Sequence, residues 1–187
     1  MLLDLTLRVT PEMTADAQAN ERIARVGHLG THFDVMDKEF PLEYTERPGI
    51  VFDLRGFAGE EIDLLQLDLD RVKAGDFVAF CTGYIERVPY GSRAYFSGHP
   101  QLSERLIDQL LARRVAIIGV DFAGLRRGAQ HTPTDRRCAE RGTFVVENLC
   151  NLGSLARAIG PERCTFCTYP MNWVGLSGLP CRVVARG

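Results

Sequence analysis

Between Gly27 and Lys38 the chain reads GHLGTHFDVMDK, which sets two of its four histidines, His28 and His32, four residues apart and Asp34 two further on. Imidazole and carboxylate together are the donor set of a divalent transition metal. Spacing decides how these groups can meet. On an ideal strand His28, Gly30, His32 and Asp34 share one face, but the two histidines stand about 13 Å apart at about 3.3 Å per residue. A regular helix brings the histidines together and turns Asp34 away. The expected conformation is therefore an irregular strand end, bent at the permissive Gly30, with Asp34 free to use both oxygens. A carboxylate placed so can bridge two ions about 3.5–4 Å apart, a common hydrolytic arrangement.

Two imidazoles and one carboxylate leave a coordination shell incomplete. The polar residues at other strand ends and loops that can complete it are His131, Asp135 and Glu147, with Asp121 at a further strand end. Glu147 follows the apolar run Phe144-Val145-Val146, and a charge buried there needs a partner or a metal. His131 also reads as a loop histidine satisfied by backbone, and Asp135 as an acid at the positive end of a helix. His99, between Gly98 and Pro100, reads as structural or surface. Cys164 and Cys167 have C-x-x-C spacing without a second pair, so strand or core thiols are the default. Arg126 and Arg127 read as solvated, with a hold on a substrate carboxylate as the alternative. Phe33 and Trp173 suit either the core or the wall of an aromatic-binding site. The sequence holds no Gly-x-Ser-x-Gly nucleophile elbow.

The elements that must position these groups alternate between strand and helix patterns. Leu3 to Val9 alternates with period two, as a half-buried strand does, and ends at Thr10-Pro11. An apolar run from Ile23 to Val26 leads into the histidine stretch. Arg47-Pro48-Gly49 is expected as a loop before a strand at Ile50 to Leu54. The segment from Glu61 to Asp70 fits a strand or a short helix, and Lys73 to Asp76 a turn. Phe77 to Cys81 is a strand, followed by a loop from Gly83 to Pro100. Leu102, Leu106, Ile107, Leu110 and Leu111 recur at helical spacing, with Ser103 as cap. Val115 to Val120 is a strand buried on both faces that ends at Asp121. Thr132 and Pro133 suit the cap and first turn of a helix that stops at Arg141-Gly142. Strands follow at Phe144 to Val146, Cys164 to Tyr169 and Cys181 to Ala185, with a short helix from Leu155 to Ile159. The sum is an α/β fold with a mixed sheet in one domain, residues 1–187.

Composition narrows the function classes. The 187 residues are 45% hydrophobic, ample for one buried core, with 22 basic and 24 acidic residues dispersed to a net charge of −2. That balance gives no footprint for nucleic acid. No apolar run reaches the roughly 18 residues of a membrane span, and the N-terminus MLLDLTLRV carries an acid where a signal peptide carries positive charge. A cytoplasmic protein without a membrane partner is expected, and its six cysteines are expected as free thiols.

The stretch GHLGTHFD resembles the signature His-x-Gly-Thr-His-x-Asp-x-Pro-x-His of the cyclase-like metal-dependent hydrolases, which include bacterial kynurenine formamidase and isatin hydrolase. DLTL, GDFVAFCTGY, VAIIGVD, FVVENLCNL and GLPCRVVA resemble further family segments in the same order. The resemblance implies a swivelling β/β/α fold, a homodimer or higher homo-oligomer, and zinc or manganese as cofactor, in one ion or two. It carries the ligand role to His28, His32, Asp34 and Glu147. The family's remaining histidine ligand lies twelve residues before that glutamate, where this chain has Asp135; His131, one helical turn earlier, is the alternative or additional donor. The family's proline corresponds to Met36 and its last motif histidine, an acid and base, to Lys38. Lys38 is then read as an electrophilic group, with Asp37, Glu39 or His131 handling protons. The implied activity is hydrolysis of a C–N amide in a small molecule, as in conversion of N-formylkynurenine to kynurenine. Hydrolysis or cyclisation of a cyclic amide or lactone is the first alternative, and a non-catalytic metal-bound ligand-binding protein the second.

Overall fold

The computed structural model describes residues 1–10, 13 and 27–187; the run at 23–26 expected to lead into the histidines lies outside them. The strands are β1 (Leu2–Asp4), β2 (His32–Asp34), β3 (Glu46–Asp53), β4 (Glu61–Ile62), β5 (Phe77–Cys81), β6 (Gln101–Leu102), β7 (Ile117–Val120), β8 (Phe144–Glu147), β9 (Cys164–Pro170) and β10 (Gly178–Arg186). The α-helices described along their length are α1 (Tyr84–Arg87), α2 (Arg93–Gly98), α3 (Glu104–Ala112), α4 (His131–Glu140) and α5 (Leu152–Ile159).

Four strands run parallel in the order β8-β7-β5-β3. On one side β2 adds antiparallel to β8, and on the other β9 adds antiparallel to β3. The long β10 joins the two edges, pairing with β2 through Gly178–Pro180 and with β9 through Cys181–Arg186. The mixed sheet thereby closes into a seven-stranded barrel, and β1 pairs with the far end of β10. Closure removes the open edges that an unpaired sheet would expose.

Side-chain alternation divides the barrel into two layers. Phe77, Ala79 and Cys81 of β5 point inward with Val51, Ile117, Phe144, Val146, Phe166 and Val183. Residues of the opposite parity, Ile50, Phe52, Val78, Phe80, Ile118, Val120 and Val145, point outward and meet α3 through Leu106, Ile107, Leu110 and Leu111. Each of those four buried aliphatic side chains contributes about 1.5–3 kcal/mol. Ser103 caps α3, its hydroxyl accepting from the Leu106 N–H.

Several expected elements differ. Arg47-Pro48-Gly49 lies inside β3; β5 pairs only from Gly49 onward, so Pro48 sits where one edge of the strand is free. The loop expected from Gly83 to Pro100 contains α1 and α2, each too short to show a helical period. Only Leu2–Asp4 of the first expected strand is paired as a strand; at Leu7 the backbone N–H turns to the Thr31 hydroxyl instead. The segment from 61 to 70 divides into β4 and two 3-10 turns. α5 begins at Leu152, three residues early, behind Asn151 at φ +58°. α4 begins at His131, because a 3-10 turn at Gly128–Gln130 feeds it; Pro133 still falls in the first turn, where a missing N–H costs nothing. Gly142, at φ +73°, ends that helix as expected.

Candidate metal centre

The two-layer barrel decides where the candidates meet. Glu147 has the parity of outward-facing Val145, while His32 and Asp34 point away from Phe33, which lies in the inner core. Register sets His32 directly opposite Glu147 across β2 and β8. The approach to β2 is irregular, as expected: Gly27 and Gly30 take φ +82° and +70°, and the bend folds His28 onto His32, ring centroids 4.7 Å apart. α4 packs over β8 and adds His131 and Asp135 from successive turns of one face. Six side chains from three elements and one turn thus converge on the outer surface of the barrel.

Their donor atoms fall into two adjoining groups, His28, His32 and Asp34, and Asp34, His131, Asp135 and Glu147, within each of which they lie no more than 4.8 Å apart. His28 Nδ1 is 3.0 Å from both His32 Nε2 and Asp34 Oδ1, and His32 Nε2 is 3.7 Å from that oxygen. His131 Nε2 is 3.0 Å from Asp135 Oδ2 and 3.1 Å from Glu147 Oε1, and Glu147 Oε2 is 3.6 Å from His32 Nε2. Donors bound at about 2.1 Å to one ion stand roughly 3.0–3.5 Å from each other. Asp34 belongs to both groups, the place of a bridging carboxylate.

Hydrogen bonds behind the rings fix which nitrogen faces the cluster. His32 Nδ1 is 2.9 Å from the Gly30 carbonyl, which only accepts, so that nitrogen carries a proton and Nε2 is the one that can give a lone pair to a metal. His28 Nε2 is 2.9 Å from Ser177 Oγ, leaving Nδ1 turned inward. The Gly30 carbonyl also accepts from Asn148 Nδ2, while Tyr95 donates to Asn148 Oδ1 and Tyr90 Oη accepts from the Gly30 N–H. Such partners orient metal-binding imidazoles.

The carboxylates behave as a site built for cations. Both oxygens of Asp34 and Asp135, and Oε1 of Glu147, are buried without a hydrogen bond of ordinary geometry. Burial opposes a charge on Asp34, but His28 and His32 beside it hold its carboxyl well below the usual range. Burial and then the Asp34 charge push Asp135 up to about 8, and push Glu147 up as well. Burial also works against the histidine cations, yet Asp34 raises His32 to about 9, and Asp135 with Glu147 raises His131 to about 11. Without a metal, protons hold the carboxylates together. The buried orphan oxygens, inward-facing imidazole nitrogens and donor spacings all fit a divalent cation that would displace those protons.

Other expected candidates lie elsewhere. Asp121 is fully buried but accepts from Thr82 N, Thr82 Oγ1 and Gly83 N, joining the ends of β5 and β7, and so does not complete the cluster. Lys38 and Asp37 are largely exposed and pair with each other at 3.3 Å. They line a cavity of about 790 Å³ with Glu39, Met36, Phe40, Met171 and Trp173. His99 is buried, stacked on Phe122, with Nδ1 bonded to the Pro100 carbonyl. Arg126 is buried rather than solvated, its donors committed to Glu61, Leu102 and Gln130; Arg127 reaches Ser97 and Glu60. All six cysteines are free. Sequence reading missed Ser177, Asn148, Tyr90 and Tyr95, none of which is a metal ligand type at ligand spacing. It also missed Gly124, at φ +98°, where a Cβ would come within 2.7 Å of the His131 ring. Asn148 sits in the Glu-Asn-Leu run and was the one with a signal.

With this geometry in place, comparison identifies the class. Residues 3–125 match the family described as "Putative cyclase", and the chain belongs to that family. Solved structures share its fold at low identity. One described as a potential metal-dependent hydrolase with cyclase activity superposes with a TM-score of 0.73 at 22% identity, covering 99% of this chain and 96% of its own. Isatin hydrolase A from Labrenzia aggregata, bound to benzyl benzoate, gives 0.73 at 18%, covering 99% and 93%. Isatin hydrolase A from Ralstonia solanacearum gives 0.67 at 22%, covering 83% and 70%. No curated protein matches the sequence. Among the described residues, no helix is long and apolar enough to cross a membrane.

Proposed function

We propose that the protein is a metal-dependent hydrolase that opens a C–N amide bond of a small molecule, of the arylformamidase type that converts N-formylkynurenine to kynurenine. The observation that carries this reading is the convergence of six side chains of metal-ligand type around buried carboxylate oxygens that lack a hydrogen bond of ordinary geometry. His28, His32, Asp34, His131, Asp135 and Glu147 would hold the metal, zinc in the first instance, in one ion or two. The bound ion supplies Lewis acidity and an activated water near neutral pH.

The residues of the chain supply the rest. His28 and His131 are the two partly exposed members, with side chains 23% and 34% accessible, so substrate approaches the cluster between them. Asp34 and Glu147 are shielded, which strengthens their pull on any cation bound there. The segment that leaves Asp34, Val35 to Phe40, lines the cavity that also holds Trp173, and the loop that returns through Leu176 ends at Ser177 beside His28. Trp173 and Phe40 offer a wall for an aromatic ring, and the Lys38 ammonium at the rim is suited to a substrate carboxylate. His131, Asp37 or Glu39 is left to handle protons.

The isatin hydrolases among the structural neighbours favour hydrolysis of a cyclic amide as the second reading. Assays of the zinc-loaded and manganese-loaded protein with N-formylkynurenine, isatin and simple lactones separate the two. Turnover of N-formylkynurenine supports the proposal, turnover of isatin alone supports the second reading, and no turnover with metal bound supports a ligand-binding protein. Loss of activity in Lys38→Ala at unchanged metal content would place Lys38 on the substrate.

A further inference from the structure

We infer that the two halves of the cluster discriminate differently between metals, a nitrogen-rich position that strongly favours zinc adjoining an oxygen-rich position that also accepts a harder ion such as manganese. The inference rests on the metal-dependent reading of the site and concerns what this chain's own donors select. His28 and His32 give the first position two imidazoles, with Asp34 as its one carboxylate. Asp135 and Glu147 give the second position two carboxylates besides the shared Asp34, against the single imidazole of His131. Imidazole suits zinc, whereas carboxylate-rich sites suit manganese and magnesium. Zinc binds nitrogen and oxygen sites more tightly than manganese in general, so the difference lies in the margin of preference, which narrows where imidazoles are replaced by carboxylates.

Two further observations separate the positions. Asp34 is a member of both donor groups, and neither of its buried oxygens has a hydrogen bond of ordinary geometry. His28, in the first group, and His131, in the second, are the partly exposed members, while Asp34, common to both, is shielded. His32 Nε2, 3.6 Å from Glu147 Oε2, marks the seam.

The test uses metal-stripped full-length protein. Zinc is titrated calorimetrically, and manganese is then added to protein holding one equivalent of zinc, with bound manganese read by loss of the free-ion electron paramagnetic resonance signal. The expected result is one tightly bound zinc followed by one bound manganese. Asp135→Asn should weaken the manganese step by about tenfold or more and leave the first zinc step within about twofold. His28→Ala should do the reverse. Glu147→Gln provides a second variant on the oxygen-rich side, and circular dichroism verifies that each variant is folded. Failure of manganese to bind the one-zinc protein would overturn the inference alone, as would equal weakening of both steps by Asp135→Asn. Absence of any metal binding would overturn the metal-dependent reading and the inference with it.

Discussion

Ser177 makes its point of contact with the cluster through one hydroxyl, which makes Ser177→Ala a sharp perturbation. Its Oγ is 2.9 Å from His28 Nε2, and this bond leaves Nδ1 as the atom turned toward His32 and Asp34. Loss of a partner behind a metal-binding histidine costs about 10- to 100-fold in metal affinity. The His28 side chain is 23% exposed, so water can replace part of the lost bond, and the effect belongs at the lower end, about tenfold or about 1.4 kcal/mol. Gly178 packs at the same ring, where a Cβ would fall 2.8 Å from His28 Cδ2, and that packing limits how far the ring can rotate. The assay is competition for zinc between metal-stripped protein and a chromophoric chelator at neutral pH. Ser177→Thr should restore most of the affinity. An unchanged zinc affinity in Ser177→Ala would refute the assignment of His28 Nδ1 as the atom that faces the ion.

Three other perturbations follow from the same geometry. Gly124→Ala forces a side chain onto a φ of +98° and against His131; a cost of about 1–3 kcal/mol should lower the melting temperature and weaken manganese binding, and wild-type behaviour in both would contradict the placement of His131. Tyr95→Phe leaves Asn148 Oδ1 buried without its donor, so unfolding in urea should show a loss of about 1–3 kcal/mol, and a variant as stable as the wild type would refute that network. In metal-free protein, His32, His131 and Asp135 have pKa values raised to about 9, 11 and 8 from ordinary values of 6.5, 6.5 and 3.8. Each contributes stability that is complete below its unfolded value and lost as pH rises through its folded one. Melting temperature in chelator should therefore fall from pH 5 to pH 9, and saturating zinc should blunt the fall by displacing the same protons; a rise in chelator would contradict the account.

The parts of this fold legible in sequence are those whose signal is local. The run Phe77 to Cys81 was a strand on composition alone, and α3 announced itself through its four apolar residues and Ser103. Barrel closure was not legible, because it depends on β10 pairing with β2 over its first three residues and with β9 over the rest, a register that no short window encodes. α1 and α2 were hidden by their length. In the site, His28, His32 and Asp34 were readable from ligand chemistry and spacing, whereas His131 and Asp135 read equally well as a loop histidine and a helix-start acid, and only the family resemblance pointed to one or both as donors. The groups that hold them in place were not, since Ser177, Asn148, Tyr95 and Gly124 act through a single hydrogen bond or a missing Cβ. Such roles exist only once the strands are in register. The tail of the opening stretch, Asp37-Lys38, is the remaining contrast: the chain places it at a cavity rim rather than against the cluster, so its role depends on the substrate.

Asp34 is the side chain on which both halves of the cluster depend, and removing it tests the central claim most directly. Metal content of purified Asp34→Ala, measured by inductively coupled plasma mass spectrometry beside wild-type protein loaded identically, should show loss of the bound ions while circular dichroism shows a retained fold. A folded Asp34→Ala protein with full wild-type metal content would contradict the assignment of this cluster as the metal centre.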